Sequence, residues 1–312
     1  MNRLLTTAAL LALLAACDNA QPFTFAPIGD EVPVEDEDAE PVSAAGIPEA
    51  VGRNLETATY RAGGNFLSVQ ITSLDSTPTD AIYERNAALD VPGYRAFSQQ
   101  EDPLDRIFIG MAQTKSGVTG VLVMDGGQFN KFFSGTYFEQ NGAYSAHTPS
   151  QPNNGLVSYA GDYVGMLNLD APRPNEALPF PAGVDPALAP GQASRVTGDI
   201  FINADFSDNT VNGLIYNREV VDFGNAPLDN VVLIVTEFDE NGQFLGTVED
   251  PGQTEIGSWA GTFGGVQASG IAGGIFIEEF IPTVENEAEQ GLFVLTKCGN
   301  SGDAAICDNV NP

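Results

Sequence analysis

The sequence predicts a mainly β protein: a small α+β domain followed by an eight-stranded antiparallel up-and-down β-barrel. Three observations carry this. Short segments that alternate apolar and polar residues recur from about residue 156 to 297, tight-turn dipeptides separate them, and glycines sit inside several of them. Alternation is the period of a half-buried strand, and glycine inside a strand marks a bend of the kind a closing sheet needs.

At the N-terminus, Arg3 is followed by an apolar run from Leu4 to Leu14 and by Leu14-Ala15-Ala16-Cys17. A positive start, a short apolar run and small residues before a cut make an export signal. The run is shorter than the ~20 apolar residues that span a bilayer. It resembles the bacterial lipoprotein signal, in which cleavage precedes the cysteine and the new N-terminal cysteine carries lipid. Residues 1–16 are then the signal peptide and Cys17 the lipidation site that ties the chain to a membrane. An ordinary secretory signal cut near Ala16 and a buried N-terminal helix are the competing readings. A core helix shows polar residues every third or fourth position, and only Thr6-Thr7 interrupts this run.

Residues 17–55 are read as an acidic, Pro-rich tether. The 33 residues from Asp18 to Ala50 lack an apolar period and cannot bury enough surface to offset their ordering entropy. Extended at about 3.1 Å per residue, they reach roughly 100 Å. The acidic cluster from Glu35 to Glu40 reads as a solvated spacer, since the fixed spacing of a calcium loop is missing.

Residues 56–150 form the predicted α+β domain. Phe66, Ser68, Gln70 and Thr72 alternate with Leu67, Val69 and Ile71, as in a strand. The stretch "TDAIYERNAALDV" predicts a helix, with Thr79 as N-cap and Pro92 beyond its end. A meander follows, with Ser116-Gly117, Asp125-Gly126-Gly127 and Asn141-Gly142 as hairpin turns. The domain is expected to carry its helix on one face of the sheet. Tyr94 and Phe97, in a Gly/Pro-flanked loop, are candidate partner-facing aromatics.

Residues 151–312 are the predicted barrel, after the joint "HTPSQPNNG". Eight strands are expected at about 156–168, 195–206, 210–218, 230–238, 243–249, 256–264, 270–280 and 290–297. Ile200, Ile202, Ala204 and Phe206 face one way, and Asn203 and Asp205 the other. Asp208-Asn209 and Asn241-Gly242 sit where tight hairpins need positive φ. A closed barrel removes sheet edges and fills its interior with side chains. Three cysteines are an odd number for an exported chain. With Cys17 lipidated, Cys298 and Cys307 remain for a disulfide that closes a small C-terminal loop, the alternative being two free thiols.

Composition narrows function. With 42 acidic and 12 basic side chains, a net charge of −30 repels phosphate backbones and argues against a nucleic-acid partner. The single histidine, His147, lies in the joint, and no Gly-x-Ser-x-Gly elbow is present. No catalytic residues are assigned, and the protein is read as a non-enzyme. One histidine and three already assigned cysteines leave no ligands for a zinc or copper site, so no metal and no cofactor is expected. Gly261 to Gly265 is not a phosphate loop, because no Lys-Ser or Lys-Thr follows. Carboxylate pairs such as Asp205 with Asp208 and Glu278 with Glu279 belong to a solvated acidic surface, and Trp259 to the core.

Four stretches carry a family resemblance. They are Asp205-Phe206, Val211 to Gly213, Gly261 to Gly265 and Gly273 to Phe276, with "GLVSYAGDYVGMLN" upstream. Together they resemble the β-barrel half of transferrin-binding-protein-B-like surface lipoproteins. The resemblance covers roughly residues 56–297 and implies a single lobe, a "handle" domain plus a barrel. These motifs are structural and carry no ligand information. The two-lobed receptors bind host protein through long loops, whereas this chain has length for one lobe and mostly short turns, so transferrin binding is not carried over. Its long loops are "NLDAPRPNEALPFPAGVDPALAPGQAS" and "EVVDFGNAPLDN". The function expected is an outer-membrane lipoprotein of the bacterial envelope, open to surface display, that binds a protein or small solute. The alternatives are a structural envelope protein without a dedicated ligand and, third, an envelope-polymer enzyme. Asp18 after the lipidated cysteine leaves open which membrane holds the anchor.

Overall fold

Alternating strands and tight turns build two antiparallel sheets in the computed structural model, which describes residues 46–73, 77–149 and 155–309. The first sheet is a seven-stranded meander in chain order. Its strands are β1 (Leu55–Tyr60), β2 (Phe66–Thr72), β3 (Pro78–Arg85), β4 (Arg95–Gln99), β5 (Phe108–Lys115), β6 (Val118–Asp125) and β7 (Ser134–Gln140). One helical turn, Glu49–Gly52, precedes it. The second sheet holds β8 (Leu156–Asp170), β9 (Ala193–Asp205), β10 (Thr210–Val220), the two-residue β11 (Ala226–Pro227), β12 (Val231–Glu237), β13 (Gln243–Glu249), β14 (Glu255–Gly264), β15 (Gly270–Glu278) and β16 (Ala288–Thr296). Each long strand pairs with its chain neighbours, β9 pairs β10, and β16 returns to β8. The ring closes with eight strands, at the eight places the alternation predicts.

The helix expected over "TDAIYERNAALDV" is not formed. Pro78–Arg85 is strand β3, paired with β2 over its whole length, and a short 3-10 turn follows at Ala87–Leu89. Tyr83 points into the sheet core while Asp80, Ile82 and Glu84 face out. That is a period of two, and it wins because Leu67, Val69 and Ile71 offer a ready-made partner face. The capping role falls to Asn86, whose side chain accepts from the Ala88 N–H at 3.2 Å, and not to Thr79. The Ser116-Gly117 hairpin forms as predicted, with both φ angles positive at 46° and 86°. Asn141-Gly142 is not a hairpin, because the Asn141 N–H bonds Gly117 O as the chain leaves the sheet.

Among the described residues no helix covers the first sheet; the barrel wall does. Along β15 every residue from Gly270 to Ile277 is buried, and along β16 every residue from Ala288 to Thr296. Odd positions such as Ile271, Ile275, Phe293 and Leu295 face the barrel interior, where they join Tyr159, Trp259 and Phe263. Even positions such as Ala272, Leu292 and Val294 face Met111, Val118, Leu122 and Met124 of the first sheet. Both faces of these strands are therefore core, which is why their sequence runs nearly continuously apolar. Small residues set the spacing: a Cβ added at Gly120 would lie 2.6 Å from the Leu292 side chain, and one at Gly117 only 2.7 Å from Gly265 Cα.

The barrel seam between β16 and β8 is the last pairing of the ring. Its ladder runs from Glu289 opposite Leu167 to Phe293 opposite Tyr163. At the next rung the Tyr94 hydroxyl enters from the first sheet, accepting from the Val294 N–H at 3.1 Å and donating to Asp162 O at 3.0 Å. Tyr94 and Phe97 are thus buried, at 4% and 0% exposure, and do not face a partner. Gly93 and Tyr94 turn inward because the Gly/Pro-flanked loop lands on the barrel, which local sequence does not reveal. The chain then closes the end of the seam with Cys298 and Cys307, joined by a disulfide, and with the Cys298 N–H bonded to Ser158 O at 2.9 Å.

Inside the barrel one polar network links three side chains. Arg218 Nη2 donates to Glu289 Oε2 at 2.7 Å and Tyr163 donates to Glu289 Oε1 at 2.6 Å. All three side chains are shut off from solvent, and Arg218 also bonds Asp229 O. Burial pushes the Tyr94, Tyr159 and Tyr163 phenols well above their usual range.

Truncating Leu122 to alanine opens a cavity at the sheet–barrel contact and is expected to cost about 2–5 kcal/mol. Denaturant unfolding followed by tyrosine fluorescence and by circular dichroism should give one shared transition, because both sheets lose the same core. Tyr94→Phe leaves the Val294 N–H and the Asp162 carbonyl without their shared partner, and should lower stability by about 1–3 kcal/mol in the same assay. For the tyrosines the sign is fixed: a phenol raised above its unfolded value of about 10 stabilises the fold below that pH and loses the contribution as pH climbs past it. Ultraviolet titration should show part of the phenolate signal appearing only together with unfolding.

Candidate functional site

The first sheet is continuous except between β3 and β4. Their ladder contains Glu84 opposite Ser98 and Arg85 opposite Phe97, and nothing further along β3. Past Ser98 the chain of β4 turns away through Glu101-Asp102-Pro103, held by the Leu104 N–H on Asp102 Oδ1 at 3.0 Å. Pro103 has no N–H to continue a ladder. The residues Pro78 to Tyr83 therefore keep β2 on one side and open space on the other.

The opening is a cleft of about 760 Å³. Its floor includes Ile71, Tyr83 and Phe108, and its rim carries Asp80, Glu84, Glu101 and Glu176. Glu176 and Leu178 come from the long β8–β9 connection, residues 171–192, which lies back against the first sheet. The Leu178 N–H donates to Gln100 Oε1 at 2.7 Å, the Glu176 N–H to Gln192 Oε1 at 2.8 Å, and Gln128 Nε2 to Leu188 O at 2.9 Å. The loop flagged by its length thus becomes one wall of the cleft.

Beneath the floor lies a buried ion pair. Arg106 pairs with Asp125 and also donates to Lys131 O and Gln128 O, both at 2.8 Å. Burial raises the Asp125 carboxyl, and the Arg106 guanidinium opposes the rise. Burial likewise lifts the Tyr83 phenol, helped by the Asp125 charge.

A second acidic recess, about 640 Å³, lies at one barrel end against Phe132, with Glu255, Glu278, Glu279 and Glu287 around it. Among the described residues no group of three or more His, Cys, Asp or Glu has metal-holding geometry. His147 packs edge-on against Phe206 at 5.8 Å, in the ring cluster formed with Phe238 and Phe263. Trp259 is fully buried, its indole N–H on Ile234 O at 3.3 Å. Cys17 lies outside the described residues. Of the sequence candidates, only the long loop contributes to the cleft; Asp80, Ile82, Glu84 and Glu101 were not singled out by any motif, since what matters about them is which sheet edge they occupy.

No protein-family model matches the chain, and no curated protein does. Solved structures do. One is intact Ap-TbpB with N and C lobes, at 10% identity and a TM-score of 0.38, covering 75% of this chain and 52% of that one. Another is the vaccine antigen transferrin-binding protein B of Haemophilus parasuis Hp5, as a double mutant, at 11% identity and 0.37, covering 75% and 51%. A third is the isotype 1 protein of serogroup B Neisseria meningitidis, at 10% and 0.33, covering 76% and 50%. The chain spans about half the length of the solved structures it matches. The architecture described above rests on the pairing of this chain's own strands, and the three solved structures just named are of transferrin-binding protein B.

Proposed function

We propose that the protein is a non-enzymatic binding lipoprotein of the bacterial cell envelope, anchored by lipid on Cys17, whose partner is a protein. The observation that carries the choice of partner is the packing of the barrel. Its inward positions hold Tyr159, Tyr163, Trp259, Phe263 and Phe293 with the Arg218–Glu289 pair, so side chains occupy the space a barrel-held solute needs. The open cleft lies instead on the first sheet, where a macromolecule has access. The disulfide between Cys298 and Cys307 suits an oxidising compartment outside the cytoplasm. The acidic surface weakens contact with anionic head groups and keeps the body off the bilayer.

Intact-mass analysis of the natively expressed protein, with protease shaving of whole cells, tests the anchor and the location. The expected result is a mass for a chain beginning at Cys17 plus acyl chains, with the body lost on shaving. An unlipidated chain cut elsewhere and protected from protease would overturn the reading and return soluble periplasmic roles, enzymes included, to consideration.

A further inference from the structure

The backbone of β3 shows which of its groups face the cleft. Arg85 N–H donates to Asn65 O on the β2 side at 2.9 Å, and Asn86 N–H donates to Ala96 O on the β4 side at 3.0 Å. Backbone groups alternate along a strand. Asp80 and Ile82 share the parity of Asn86, so their N–H and C=O groups point toward β4, beyond the end of the β3–β4 ladder. Open strand edges pair with any extended chain that reaches them unless they are blunted. Nothing blunts this one by lysine or bulge over Thr79 to Tyr83, and Ile82 is 62% exposed beside Phe66 at 59%.

Charge selects the occupant. Asp80 and Glu84 flank Ile82 on the outward face of β3, and Glu101 and Glu176 stand across the cleft. The nearest cation, Arg85, is committed to Asp90 and to Ala96 O. The chain's own sequence from Asp18 to Ala45 carries acids at 18, 30, 31, 35, 36, 37, 38 and 40 and no lysine or arginine, and a second copy brings a net charge of −30. Both are repelled from this rim. We infer that the cleft takes a basic, extended segment of the partner protein, which adds as a strand to the β3 edge at Asp80 and Ile82. The segment alternates, with apolar side chains set on the Ile71, Tyr83 and Phe108 floor and cationic side chains facing out opposite Asp80 and Glu84. About six residues suffice, since Pro78 to Tyr83 spans roughly 20 Å at 3.3 Å per residue. The inference rests on the reading of a protein partner and names its site and chemistry.

The probe is an acetylated, amidated Lys-Val-Lys-Val-Lys-Val-Lys peptide added to the folded protein, with the same peptide methylated on its lysine backbone nitrogens as comparison. Hydrogen exchange by NMR should show the Asp80 and Ile82 amides protected on binding. Methylation, which keeps the charge and removes the strand's donors, should weaken binding roughly tenfold or more. The Asp80→Asn, Glu84→Gln, Glu101→Gln triple variant should weaken it by a similar factor while keeping the melting temperature. Equal binding of the methylated peptide, or binding without protection of the two amides, would reduce the site to unspecific charge and overturn the proposal. Amides already protected in the free full chain would place its own segment or a second copy there, and absence of binding would also overturn it. None of these outcomes touches the lipid anchor, which the mass measurement decides separately; an anchored protein that captures a partner equally well as the triple variant would keep the broader function and sink this site.

Discussion

The structure depends on one wall serving two cores. β14, β15, β16 and β8 close the barrel from inside and at the same time bury the first sheet from outside. Leu292 and Val294 can face Leu122 only because Gly120 carries no side chain at the contact. Fully burying each such aliphatic side chain contributes about 1.5–3 kcal/mol, and neither sheet reaches that burial alone. The polar residues in the wall obey the same constraint. Gln290, fully buried, donates to Val51 O and Thr136 Oγ1 and accepts from Ser134 Oγ, so the interface leaves its amide satisfied.

Because the wall is committed on both faces, the open cleft lies on the far side of the first sheet. There β3 and β4 separate, and the long β8–β9 connection crosses back from the barrel to stand beside the gap. The cleft is therefore assembled from both halves of the chain, although its floor belongs to one. Its acidity is local as well as global: the rim carboxylates belong to strands and loops whose positions are fixed by backbone pairing and by the Gln100 and Gln192 amides.

Much of the barrel is legible in the sequence because several of its strands alternate and its tight turns carry Asn, Asp or Gly; Asn209 and Gly242 have the positive φ their turns require, at 55° and 77°. Strand β3 is not legible, since "TDAIYER" followed by "NAAL" offers a cap and good helix formers, and only the distant face of β2 decides against a helix. The burial of Tyr94 is illegible for a related reason: a Gly/Pro-flanked aromatic looks the same whether it meets solvent or a barrel. The cleft has no motif at all. It arises from strands that part company after two residue pairs, a fact of geometry to which Pro103 and the long loop are the only clues in the chain.

The Tyr94 hydroxyl at the seam ties barrel closure to a residue 200 positions away from Val294. Pairings this distant pay their loop entropy before they gain contacts, so they form late in folding. Until then β8 and β16 are two bare edges, the latter apolar from Leu292 to Leu295, and each is a template for another chain. A newly synthesised molecule is thus most prone to aggregate between formation of its hairpins and arrival of the Tyr94 loop, and the first sheet acts during that interval as the chain's own cover for the unfinished barrel.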